Sequence, residues 1–121
     1  MTTLDTDLDS LISDWLTLPD VAERLNLPIT KVRQLVKDRQ VVAFRRGERK
    51  ILSVPAAFIS GDQVLKGLPG TLTLLAVNKY TDEEALRWMF TADDTLPGTP
   101  VQALTENRGT EVRRRAQALG F

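Results

Sequence analysis

Two short apolar-striped segments meet at Asn26-Leu27-Pro28 and are followed at once by two strand-like runs around a basic glycine turn. This order restricts the fold of the chain more than any other feature. The first segment opens at Thr17, with Asp20 three residues on and Pro19 between them. A hydroxyl and a carboxylate at that spacing satisfy the free amides of a helix start, and proline fits its first turn. Leu18, Val21, Ala22 and Leu25 then repeat at helical spacing. The second segment predicts a helix over about 29–39, with Val32, Leu35 and Val36 as its inward stripe. Val41-Val42-Ala43-Phe44 and Ile51-Leu52-Ser53-Val54 flank Arg45-Arg46-Gly47-Glu48-Arg49-Lys50, which predicts a hairpin. Pro55-Ala56-Ala57-Phe58 can open a short helix beyond it.

The remainder reads as helix and connection. The first ten residues are Thr/Asp-rich and predict a flexible tail, with Leu8, Leu11, Ile12 and Trp15 able to form a short amphipathic turn. Residues 60–70 read as a connection ending in Gly67-Leu68-Pro69-Gly70, and a helix is expected over about 71–77. Thr81 caps the next helix, with Asp82, Glu83 and Glu84 in its first turn and Leu86, Met89 and Phe90 on one face. A loop over 91–98 leads to Thr99-Pro100, a cap and first-turn proline for a helix to about Glu106. Gly109-Thr110 starts the last helix, with Val112, Ala116 and Leu119 facing inward. The expected fold is mainly α with a small β-hairpin wing: a winged helix-turn-helix followed by a C-terminal helical bundle. Three parts are expected, namely a flexible acidic tail over 1–14, the winged helix-turn-helix over 15–60 and the helical domain over 61–121.

Charge is segregated. The chain has 121 residues and no net charge. Yet residues 1–23 hold six acids and no Lys or Arg, whereas residues 24–50 hold nine bases and two acids. The balance of zero thus hides an acidic head followed by a basic block, the distribution of a chain that meets a polyanion. Cys and His are both absent. Disulfides, thiolate and imidazole metal sites, and Cys or His nucleophiles are therefore ruled out. No metal or other cofactor is expected. No nucleophile–base pair can be named, so an enzyme is not expected. No apolar run is long enough to span a bilayer, and the acidic N-terminus fits neither a signal nor a transit peptide. The expected compartment is the cytoplasm, at the nucleoid, without membrane partners.

Each piece of this order has a task in DNA recognition. The first helix crosses the duplex, and the second enters the major groove with hydrogen-bonding side chains on its outer face. Removing the inward stripe leaves Thr30, Lys31, Arg33, Gln34 and Lys37 on that face. Arg33 can donate twice to a guanine edge and Gln34 can pair with adenine. Lys31 and Lys37 suit phosphates as compact charges. Arg45, Arg46, Arg49 and Lys50 surround Gly47, where a hairpin tip tracks the backbone or reaches the minor groove. Taken singly, such residues are most often plain solvated surface; their joint order makes the case. The Asp-rich head can also fold over the basic face as an intramolecular competitor for DNA.

Residues 16–54 resemble the MerR/excisionase-type winged helix. The resemblance is carried by Leu16 through Leu25, Thr30 through Val36, and Val42 through Gly47. Pro28 departs from the usual Ser or Thr cap, and Asp38-Arg39-Gln40 lacks the usual glycine. From about residue 16 to the end, the chain is similar to an actinobacterial DNA-binding family whose members include a mycobacterial substrate of Ser/Thr protein kinase L. Lys66-Gly67-Leu68-Pro69-Gly70, Arg87-Trp88-Met89-Phe90-Thr91 and Val112 through Ala118 carry that likeness. It implies a transcription-regulator-like DNA-binding phosphoprotein, switched off by threonine phosphorylation in its N-terminal tail, with double-stranded DNA and a Ser/Thr kinase as partners. The tail does not align residue by residue, so Thr2, Thr3 and Thr6 stand only as candidates. A weaker likeness links residues 86–119 to the C-terminal domain of Xre/ParS-type antitoxins. It implies an alternative role, an antitoxin-like module whose C-terminal helices hold a protein partner.

Overall fold

The computed structural model describes residues 6–96 and 98–119. A short helix, α1 (Thr6–Ser10), precedes strand β1 (Trp15–Thr17). Helices α2 (Leu18–Leu25) and α3 (Ile29–Lys37) follow, and then the hairpin β2 (Phe44–Arg46) and β3 (Ile51–Pro55). A single 3-10 turn, Ala56–Phe58, leads into a second hairpin of β4 (Ile59–Ser60) and β5 (Gln63–Val64). Four helices complete the described residues: α4 (Leu68–Val77), α5 (Asp82–Met89), α6 (Pro100–Thr105) and α7 (Gly109–Ala118).

The helix-turn-helix closes as its capping residues require. Thr17 and Asp20 exchange hydrogen bonds: the Asp20 amide donates to Thr17 Oγ1 at 3.3 Å and the Thr17 amide to Asp20 Oδ2 at 3.1 Å. Asn26 ends α2 in the left-handed region at φ 55°, and the Leu27 amide reaches back to the Ala22 carbonyl at 3.0 Å. The chain reverses within three residues. Pro28 caps α3 without a side-chain acceptor; its carbonyl takes the Lys31 amide at 2.9 Å. At the far end of α3, Arg39 adopts φ 58°, and the Gln40 amide closes on the Leu35 carbonyl at 2.9 Å. Arg39 thus holds the left-handed position that glycine takes at no steric cost.

The wing is a three-stranded antiparallel sheet in the order β1-β3-β2. Leu16 faces Val54 in the ladder and Arg46 faces Ile51. The strand expected at 41–44 begins instead at Phe44, and Val41, Val42 and Ala43 are buried coil. An unbroken apolar run has no period-2 alternation to fix it on a sheet face, so it plunges into the core before pairing starts. β1 and the second hairpin were not expected. The Gly61-Asp62 dipeptide, with Gly61 at φ 62°, is the turn signal for the latter. Helix α4 starts at Leu68 rather than near 71, because Pro69 belongs to its first turn. Gly67 before it sits at φ 86°, where a Cβ would lie 3.0 Å from Leu104 Cδ2.

The expectation of a flexible segment through residue 14 differs from the structure over residues 6–14. Leu8 is completely buried and Ile12 nearly so, both in the same apolar cluster as Val32, Phe44, Phe58, Leu72 and Leu86. The amphipathic spacing of Leu8 and Ile12 outweighs the polar residues around them. Helix α1 packs against α5, β5 packs against α2, and α4 lies along α7. Asn78 Nδ2 at the end of α4 donates to the Ala116 carbonyl at 2.7 Å. Thr2 and Thr3 lie outside the described residues, and Thr6 is the first residue of α1.

Candidate nucleic-acid interface

Helix α3 buries Val32 and half-buries Ile29, Leu35 and Val36 against α2 and the core. The spacing that sinks these residues turns Thr30, Lys31, Arg33, Gln34 and Lys37 outward, and all five are exposed. Gln34 Nε2 donates to Asp38 Oδ1 at 2.9 Å, which orients the amide along the helix. Arg33, Lys31 and Lys37 have no carboxylate partner among the described residues.

At the wing, four residues connect Arg46 to Ile51. Gly47 and Lys50 both take positive φ, at 74° and 53°. Arg45 Nη1 donates to the Lys50 carbonyl at 3.1 Å, folding its guanidinium over the turn. Arg45, Arg49 and Lys50 are exposed.

Arg46 does not join them. Neighbouring strand residues point to opposite faces, so Arg46 shares the face of buried Phe44 rather than that of Arg45. Its Nε and Nη2 both donate to Asp9 Oδ1, at 3.0 and 2.8 Å, and its guanidinium lies 4.4 Å from the Trp15 ring centre. The side chain is 30% exposed. Arg46, expected with the other wing cations to meet DNA, is thus engaged within the chain, where its guanidinium fastens α1 to the sheet. The signal that could have found it is the aromatic Trp15 and the acid Asp9 on a segment able to form an amphipathic turn.

Arg39 likewise turns to a carboxylate of the chain. It leaves the end of α3 and pairs with Asp82 at 2.5 Å, joining α3 to the first turn of α5. Among the described residues no group of three or more Asp or Glu is placed to hold a metal ion, and no helix is long and apolar enough to cross a membrane.

A helix pair closed by a three-residue turn, an exposed polar face on the second helix and an adjoining basic hairpin define the winged helix-turn-helix class. Comparisons with known proteins give the family. Residues 3–59 match the family model described as "DNA-binding protein Rv2175c, wHTH domain", and residues 65–120 match "Rv2175c C-terminal domain of unknown function". The chain belongs to the Rv2175c family of winged helix-turn-helix DNA-binding proteins. It is 39% identical over 117 residues to the DNA-binding protein Rv2175c of Mycobacterium tuberculosis, covering 86% of this chain and 79% of that protein. The NMR structure of Rv2175c superposes with a TM-score of 0.81 at 36% identity, covering all of this chain and 87% of the other. The first of these matches begins at residue 3, so the family's winged-helix unit takes in α1.

Proposed function

We propose that this chain binds duplex DNA in a sequence-preferring manner, as a transcription regulator does. The exposed row Thr30, Lys31, Arg33, Gln34 and Lys37 on α3, followed along the chain by the exposed cations of the wing, is the observation that carries this reading. In it, α3 enters the major groove. Arg33 presents its guanidinium fork to a guanine edge, and Gln34 exchanges its bond to Asp38 for the paired donor and acceptor of adenine. Thr30 lies on the same face, one helical turn before Arg33 and Gln34, where it adds a short hydrogen-bonding contact. Lys31, Lys37, Arg45, Arg49 and Lys50 supply phosphate contacts and most of the affinity, which then falls steeply with salt. A single unit of this size reads few base pairs, so strong preference requires a second copy or a partner on DNA.

The test is fluorescence anisotropy of the purified protein on promoter-derived and randomised duplexes across a salt series. Arg33→Ala should flatten the preference between duplexes by about 1–3 kcal/mol. Lys50→Ala should weaken both duplexes alike and reduce the salt slope by about one unit. Equal effects of both substitutions on both duplexes would remove the assignment of base reading to Arg33.

The family resemblance adds a switch, phosphorylation of an N-terminal threonine. Thr6 stands three residues before Asp9, the carboxylate that holds Arg46. A phosphate adds about −1.5 to −2 charges at that end of the chain. Treatment with a Ser/Thr kinase followed by mass spectrometry checks the site. Unchanged DNA affinity of the modified protein removes the switch.

A further inference from the structure

Helix α7 presents two solvent faces of opposite character. Positions 108, 111 and 115 fall along one of them. There Arg108 meets Glu111 at 3.7 Å, and Arg115 Nε donates to Thr95 Oγ1 at 2.6 Å beside Asp93. The charges on that side answer one another. Positions 110, 113, 114 and 117 share the other face, and all four are exposed. They carry Thr110, Arg113, Arg114 and Gln117, with no acid.

Arg113 lies across the first turn of α4, where Gly70 leaves it room: a Cβ there would stand 4.0 Å from Arg113 Cδ. With Lys66, Asn107 and Thr110, it lines a cleft of about 330 Å³ whose walls include no carboxylate. Among the described residues no ion pair reaches Lys66, Arg113 or Arg114. Unpaired cations gathered around a polar cleft suit phosphate, Lys as a compact charge and Arg as a two-pronged donor. Lys66 also stands two residues beyond β5, and β5 packs against α2, the supporting helix of the DNA-binding unit. The cleft is thus tied through Lys66 and β5 to the module proposed to sit on DNA.

We propose that Lys66, Arg113 and Arg114 form a second contact to the phosphate backbone of the same duplex, flanking the stretch read by α3. The inference rests on the DNA-binding reading and gives the C-terminal helices a task within it. The partner is duplex DNA recognised through its charge, without base discrimination.

The experiment uses the full chain, a duplex of about 12 base pairs sized for one recognition helix, and one of about 30 base pairs. The Lys66→Ala/Arg113→Ala/Arg114→Ala variant should melt like the parent, since all three side chains are exposed. On the long duplex it should bind about ten- to a hundred-fold more weakly, with a salt slope lower by about two to three units. On the short duplex it should match the parent. Arg114→Glu alone should weaken the long duplex in the same direction. Equal affinity and slope of parent and triple variant on the long duplex overturn the proposal, as does an equal loss on the short one. An Arg33→Ala/Lys50→Ala variant run alongside keeps the two readings apart. If that variant binds both duplexes like the parent, the α3 reading has failed, whatever the triple variant does.

Discussion

Arg45 and Arg46 are adjacent in sequence and have different tasks in the structure. The alternation of a strand sends one over the wing turn and the other back onto Asp9 and Trp15. Arg46→Ala should therefore lower stability by about 1 kcal/mol, the scale of a partly desolvated cation–aromatic contact. It should leave the salt dependence of DNA binding in place. Arg45→Ala should do the reverse, reducing the salt slope by about one unit at unchanged melting temperature. Thermal melts and anisotropy on the same two variants check the pair of outcomes. The sequence carried the list of cations but not this division. Which face Arg46 occupies depends on where pairing starts, and pairing starts at Phe44 rather than Val41.

At the scale of elements, the helices most legible in the sequence are those with a side-chain cap. Thr17, Thr81 and Thr99 each accept the amide three residues on, at 3.3, 3.1 and 3.1 Å. Each start was readable from a Thr followed by Pro or acids. Helix α1 was legible only as a short amphipathic turn, and the short pairings β1 and β4–β5 were not legible, because two or three residues of ladder carry too little periodicity to see. The surface rows on α3 were legible for the opposite reason: Val32, Leu35 and Val36 define an inward stripe and so define its complement. Thr17→Ala should cost about 1 kcal/mol in a thermal or urea melt. Acid gives a second check. Bonds from the Thr81 amide and hydroxyl hold Glu84 below its ordinary 4.5. Bonds from Thr95, with Arg115 nearby, hold Asp93 below 3.8. A carboxylate with a lowered folded value stabilises fully above its ordinary value and loses that contribution as pH falls through the folded one. The melting-temperature gap between the parent and Thr81→Ala should accordingly be constant near neutrality and narrow as pH falls below about 4.5. A gap that stays unchanged down to pH 3 would mean that the reciprocal cap adds nothing through its charge.

For the whole molecule, Leu8 and Ile12 anchor the described part of the acidic head in the core. Deleting residues 1–13 would remove buried Leu8 and Ile12 together with Asp9, so a change in DNA binding after that deletion would report on packing as well as charge. Asp9→Asn separates the two. It keeps the volume, removes the charge facing Arg46, and should change DNA affinity less than twofold if the pair is a fastening. Tighter binding on every duplex, with a steeper salt slope, would instead make Asp9 a competitor with phosphate. Leu8→Ala should destabilise the protein by about 2–5 kcal/mol, the range for a truncated core leucine, as read in a urea melt.

The packing of α1 on α5 also bears on how the chain is made. Leu8 is translated well before Asp82–Met89, the helix against which α1 packs. During synthesis the helix-turn-helix is thus complete in sequence while its outer helix still lacks a neighbour. The nascent chain carries an uncovered apolar edge until α5 has been translated.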